Sequence, residues 1–107
     1  SALTCIANDY SFDEIFARQV VGLGRAGDLL IGISTSGNSH NVIRAVEEAT
    51  KIGMQTIGLL GRDGGHLLNL CNHSILVPSQ VTARIQECHI LIGHTLCGMI
   101  EQKLCLA

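Results

Sequence analysis

Aromatic residues are nearly absent from this chain. Phe, Tyr and Trp make up 3% of its 107 residues, and Trp does not occur. Stacked aromatics therefore cannot build the interior, which falls to Leu, Ile and Val. Runs of Lys and Arg are also lacking: 7 basic residues stand against 9 acidic ones, a net charge of −2. That balance argues against nucleic acid or an anionic membrane as the main partner. No apolar stretch approaches the roughly 20 residues of a membrane span, and no charged segment leading into an apolar one marks a leader. The 5 cysteines, Cys5, Cys71, Cys88, Cys97 and Cys105, form no CxxC pair. Their number is odd and most are flanked by aliphatics, so reduced, buried thiols in a cytoplasmic protein are expected. The first residue is Ser1 rather than Met, which fits either a processed start or a piece of a longer protein.

What the chain does have is aliphatic material, with 47% hydrophobic and 15% charged residues. The length suits one small domain over 1–107. An aliphatic surplus of this kind suggests an oligomer interface.

Patterning divides the chain into short elements. ALTCIA (2–7) is short, apolar and compatible with a strand. FDEIFARQVVGLG (12–24) has apolar residues at helical spacing, with Ser11 as a cap. LLIGIS (29–34) is continuous and apolar, as buried parallel strands are. NVIRAVEEATKIG (41–53) puts Val42, Ile43, Val46 and Ala49 on one stripe, pairs Glu47 with Lys51 on the other, and stops at Gly53. MQTIGLLG (54–61) and SILVP (74–78) read as strands, with a short helix or turn in HLLNLCN between them. From about Gln80 to Leu106 runs one long helix, apolar almost all round, expected to be buried against copies of itself or a partner subunit. The predicted fold is α/β, a parallel sheet of about four strands flanked by helices.

The stretch STSGNS (34–39) stands out, since four hydroxyls and a glycine exceed what one helix cap needs. It lies at the carboxyl end of a predicted strand, where open parallel sheets bind ligands. It also opens a helix, whose free N–H groups and partial positive charge attract anions. Capping by Asn38 or Ser39 and phosphate binding by Ser34, Thr35, Ser36 and Ser39 are both open readings here. A P-loop is excluded, because no GK[ST] follows. GLGRAG (22–27) matches GxGxxG but ends a helix and precedes a strand, the reverse of the dinucleotide-binding order, and reads as a cap and turn.

GISTSGNSHNVIRAV, GLLGRDGG and TARIQECHILIGHTLCGMIE, together with CIANDYSFDEIFARQV, resemble the sugar isomerase (SIS) domain family. Within it they are similar to the phosphoheptose isomerases, which convert sedoheptulose 7-phosphate to D-glycero-D-manno-heptose 7-phosphate for lipopolysaccharide core biosynthesis. The likeness implies a three-layer, flavodoxin-like fold with a long final helix, a cytoplasmic homotetramer and, in some members, zinc. It also implies roles. Ser34, Thr35, Ser36 and Ser39 hold the sugar phosphate, Asn8 and Asp9 contact the sugar at the end of the first strand, Gln86 touches substrate and metal, and His94 is a metal ligand and acid/base residue.

For several of these residues a purely structural role stands beside the implied one. Asp9 suits an Asx turn, and His94 a core or interface histidine. Gln86 and His94 lie eight positions apart, about 12 Å along a helix, against metal–ligand bonds near 2 Å. His89, three residues from Gln86, competes as a ligand. Glu87 reads as a surface or salt-bridging residue. His40 and His66 read as exposed, and Asp63, Gly64 and Gly65 as a turn first and packing beside the site second.

An aldose–ketose isomerisation through an enediol needs a base for the C–H proton and a group that serves the oxygens. The upstream glutamate, histidine and NGGS-like loop of the family have no counterpart in these residues. The chain is therefore expected to be the C-terminal part of such an isomerase, without its N-terminal helices and inactive alone. The alternative is a non-catalytic SIS protein that binds a sugar phosphate or a replication initiator. His94 and Ser36 favour the enzyme. A bare oligomerisation domain is a third reading.

Overall fold

The computed structural model describes residues 1–106. Three parallel strands, β1 (Leu29–Ser34), β2 (Gln55–Gly61) and β3 (His73–Val77), lie side by side in that order. Ser34 sits opposite Leu60, and Gly61 opposite Val77, so the carboxyl ends of all three come out on one edge of the molecule. A helix follows each strand: α3 (His40–Ile52), α4 (Leu67–Leu70) and α5 (Thr82–Lys103). Upstream lie α1 (Ala2–Asp9), a 3-10 turn at Phe12–Glu14 and α2 (Ala17–Leu23).

Among the described residues the sheet thus has three strands, against about four expected. Residues 2–7, expected as a strand, are helical in α1. A short apolar run has no period that separates helix from strand, and Ala2, Leu3 and Ala7 favour helix. The Thr4 hydroxyl donates to the Ser1 carbonyl at 3.1 Å, as helical threonines do. The single helix expected over 12–24 is broken into the 3-10 turn and α2. Ser11 has extended backbone before the turn, but its side chain makes no capping bond. GLGRAG does close α2: the Gly24 N–H donates to the Val20 carbonyl at 2.7 Å.

The stripe on α3 faces the core as its spacing requires. Val46 and Ala49 are buried, and Val42 and Ile43 pack against the cluster of Val46, Leu60, Leu67 and Cys71. Gly53 ends the helix at φ 94°, ψ 25°, its N–H reaching the Ala49 and Thr50 carbonyls. Gly53→Ala forces a Cβ into the left-handed region, and denaturant unfolding should show a loss of about 1–2 kcal/mol. The expected Glu47–Lys51 pair does not form. Arg44 takes Glu47 at 2.6 Å, Glu48 at 3.1 Å and Glu14 at 2.9 Å, leaving Lys51 to Glu48 at 3.1 Å. A planar guanidinium with five donors outcompetes one ammonium for neighbouring carboxylates. Through Glu14 it also ties α3 to the 3-10 turn.

The buried residues of helix α5, Ile85 and His89, lie in its first turns. Ile85 is buried against Gly61, and His89 Nε2 lies 2.8 Å from the Leu60 carbonyl oxygen. Beyond that point Ile90, Leu91, Met99 and Ile100 are exposed, as are Leu29, Ile31 and Ile33 of β1. The burial expected for α5 is therefore not supplied within this chain. The same holds for the thiols. All five cysteines are free, but only Cys71 is buried; Cys5 on α1, Cys88 and Cys97 on α5, and Cys105 after it are exposed. Burial pushes the Cys71 thiol pKa up, which keeps it protonated and unreactive. Among the described residues, no helix is long and apolar enough to cross a membrane.

Candidate phosphate-binding loop

Strand β1 ends on Ser34, and after five intervening residues the chain enters α3 at His40. Between them the main chain turns back on itself, with Gly37 at φ 71° and its N–H donating to the Ser34 carbonyl at 3.3 Å and to the Ser34 Oγ at 3.1 Å. Ser34 is 4% exposed. Its Oγ lies 2.8 Å from that of Ser39. Ser34 Oγ accepts from Gly37, and either hydroxyl can donate across the Ser34–Ser39 contact; with Ser34 as donor, the Ser39 proton is free for a ligand. Ser36 is arranged likewise, its Oγ accepting from the Asn38 N–H at 3.1 Å while its own proton stays available. Thr35 and Ser39 are half-buried at the loop surface.

Neither residue suited to cap α3 does so. Ser39, at the N-cap position, makes no side-chain cap bond. Asn38 turns away, its Oδ1 accepting from the His66 N–H at 2.8 Å. The first intrahelical bond runs from Ile43 N–H to Ser39 O at 3.0 Å, so the N–H groups of the first turn have no side-chain acceptor. A 13-residue helix with no side-chain cap at its positive end, opened by a hydroxyl-rich loop, suits an oxyanion.

The loop after β2 backs this turn. Leu67 N–H donates to the Gly37 carbonyl at 3.0 Å, and the Gly64 carbonyl lies against the Gly37 Cα. Gly64 N–H closes a turn on Gly61 O at 2.9 Å, and Gly65 N–H on Asp63 Oδ1 at 3.0 Å. Asp63, Gly64 and Gly65 thus serve both as turn and as packing beside the site. The role of Asn38 as a cross-loop acceptor is not legible in the sequence, since its partner lies 28 positions away.

The other candidates are not drawn together with this loop. Asn8 and Asp9 are exposed at the carboxyl end of α1, bonded to each other at 3.0 Å. They follow a helix rather than a strand, and among the described residues neither hydrogen-bonds the loop. Gln86 and His94 are exposed on α5, about 80° apart around the helix axis. Glu87 pairs with Arg84 at 2.6 Å, the surface role expected of it. His89 is a core histidine, 5% exposed and bonded to Leu60 O, with Nδ1 buried and unpartnered. His40 and His66 are exposed, lining a shallow cavity with Asn38, Ile43, Arg44 and Glu47.

Zinc is implied by the resemblance, and the donor set can be tested against it. Among the described residues no three His, Cys, Asp or Glu side chains gather as a metal site would require. Gln86 and His94 alone do not make one. A cavity of about 580 Å³ lies between β1 and helices α1, α2 and α3, and its walls are mainly apolar, including Leu3, Phe16, Val20 and Ile31.

Comparison with known proteins places the chain in a family. The SIS domain model matches residues 1–61. The phosphoheptose isomerase of a Nitratiruptor species is 63% identical over 103 residues, 96% of this chain and 55% of that protein. That of Helicobacter pylori is 58% identical over 102 residues, 95% of this chain and 53% of that protein. Among solved structures, a phosphoheptose isomerase from Neisseria gonorrhoeae superposes with a TM-score of 0.92 at 53% identity, covering 94% of this chain and 56% of the other. One from Francisella tularensis gives 0.91 at 46% identity, covering 94% and 55%. The chain spans about half the length of the curated relatives it matches. With the SIS model matching more than half of its residues, on a three-layer parallel fold with a hydroxyl loop at the carboxyl edge, the chain belongs to the SIS domain family.

Proposed function

We propose that this chain carries the phosphate-holding part of an aldose–ketose isomerase acting on sedoheptulose 7-phosphate to give D-glycero-D-manno-heptose 7-phosphate, in lipopolysaccharide core biosynthesis. One observation carries the reading: α3 starts without a side-chain cap directly after the Ser34–Ser39 loop, where the Ser34 and Ser39 hydroxyls pair at 2.8 Å and Ser36 Oγ accepts from the Asn38 N–H. Relatives named phosphoheptose isomerase at 63% and 58% identity support the choice of sugar phosphate.

In this reading the phosphate accepts from the Thr35, Ser36 and Ser39 hydroxyls and the first-turn N–H groups of α3. Its binding energy fixes the sugar so that the reacting carbons reach the catalytic groups. Asn8, Asp9 and Gln86 meet sugar hydroxyls, and His94 moves the proton at the oxygens of the enediol. Glu87 is paired with Arg84, and in this reading the base for the C–H proton is the glutamate that the family likeness implies upstream. Zinc, where present, draws on Gln86 and His94 only together with ligands from outside these residues, and no step here is routed through it. The chain functions in a homo-oligomer, a tetramer in this reading, and the exposed aliphatics along α5 support that. Five free cysteines fit a cytoplasmic setting.

His94 gives the test. In an isomerase-active preparation, His94→Gln should lower kcat by about 100-fold or more while calorimetry finds the dissociation constant for sedoheptulose 7-phosphate within about threefold of wild type. An unchanged kcat removes His94 from the chemistry.

A further inference from the structure

We infer that Asn38, which contacts no substrate in the proposed mode, is a positioning residue: it locks the hydroxyl loop to the loop after β2 and so keeps the phosphate site open. The inference rests on the phosphate reading above. Asn38 holds both ends of the contact. Its Oδ1 accepts from the His66 N–H at 2.8 Å, and its own N–H donates to Ser36 Oγ at 3.1 Å, orienting that hydroxyl. A second strut runs parallel, from Leu67 N–H to Gly37 O at 3.0 Å. Two N–H groups at the start of α4 therefore end on acceptors of the hydroxyl loop. Helix α4 has only 4 residues, and its first N–H groups would otherwise lack partners.

The side-chain direction matters as much as the bond. Asn is among the residues that cap helices best. Turned toward α3, the Asn38 carboxamide oxygen would take the N–H groups that an anion needs. Held by His66, it cannot. The same logic covers Ser39, whose hydroxyl is engaged by Ser34 at 2.8 Å. Both natural caps of α3 are thus occupied elsewhere, and the phosphate takes the place they leave.

Two variants remove the bond from opposite sides. Asn38→Ala deletes the acceptor. His66→Pro deletes the donor, and His66 already has φ −64°, which proline shares. Each should raise the dissociation constants for inorganic phosphate and for sedoheptulose 7-phosphate by about tenfold, in parallel. The double variant should be no worse than either single one, as for two partners in one interaction. In amide hydrogen exchange, Asn38→Ala should release the His66 N–H, and Asn38→Asp, which keeps an acceptor oxygen, should protect it again. If both single variants bind phosphate within twofold of wild type, the positioning role is overturned while the phosphate site stands. If wild type itself binds neither ligand, the phosphate reading falls and the inference with it.

Discussion

Gly37→Ala is expected to abolish phosphate binding at the hydroxyl loop and to lower stability. Gly37 has φ 71°, a conformation that costs an L-residue about 1–2 kcal/mol. The larger problem is space. A Cβ at this position would overlap the Gly64 carbonyl oxygen and approach the Gly65 nitrogen to 2.9 Å. Both obstacles are backbone, so relief requires the two loops to separate. Separation breaks the Leu67–Gly37 bond and moves the Gly37 N–H away from Ser34 Oγ. Adding about 1 kcal/mol for each lost bond gives a total of about 3–4 kcal/mol. With Ser34 unlocked, Ser39 loses its orientation as well, and the affinity for inorganic phosphate should fall by about 100-fold or more. Gly27→Ala is the control. Gly27 has φ 88°, but a Cβ there meets no atom within 4 Å. It should therefore show the handedness cost alone in denaturant unfolding, with phosphate affinity unchanged in calorimetry.

Leu60→Ala should be the most damaging substitution away from the loop. Leu60 is 0% exposed and packs with Val46, Leu67 and Cys71, where β2 meets α3 and α4. Removing a leucine side chain from such a site costs about 2–5 kcal/mol, through lost burial and the cavity left behind. For a domain of this size that lowers the melting temperature by roughly 10–30 °C. Leu91→Ala offers the contrast: Leu91 is 66% exposed on α5, and its removal should change the unfolding free energy of the isolated chain by no more than about 0.5 kcal/mol. A loss at Leu91 equal to that at Leu60 would contradict the core drawn here.

Strand β1, helix α3 with its Gly53 cap, and strands β2 and β3 are legible because each carries its own signal within a few residues. A continuous apolar run, a stripe at helical spacing and a glycine at the stop are local facts. Residues 2–9 depart from expectation for the complementary reason. ALTCIA has no period to read, and nothing local says whether it meets a sheet edge. The loop is recognisable from its hydroxyls and its place after a buried strand. Its construction is not, because the acceptor on Asn38 meets a donor on His66, and Gly37 is pressed by Gly64, through contacts that only the folded chain makes. Glu47 and Lys51 show the same limit on a smaller scale. The spacing allows a pair, and Arg44, present on the same helix, takes the carboxylate instead. On α5 the apolar pattern is plain in the sequence, but within this chain Ile90, Leu91, Met99 and Ile100 meet solvent.

Backbone amide resonances followed during a titration with sedoheptulose 7-phosphate test the phosphate site most directly. A phosphate seated on α3 should shift the amides of Ser36 and Ser39 and of the first turn, His40, Asn41 and Val42, more than any others. Inorganic phosphate should reproduce the pattern at higher concentration. Unmoved amides from Ser36 to Val42, or shifts confined to the apolar cavity beside Leu3, Phe16 and Ile31, would contradict a phosphate site in this loop.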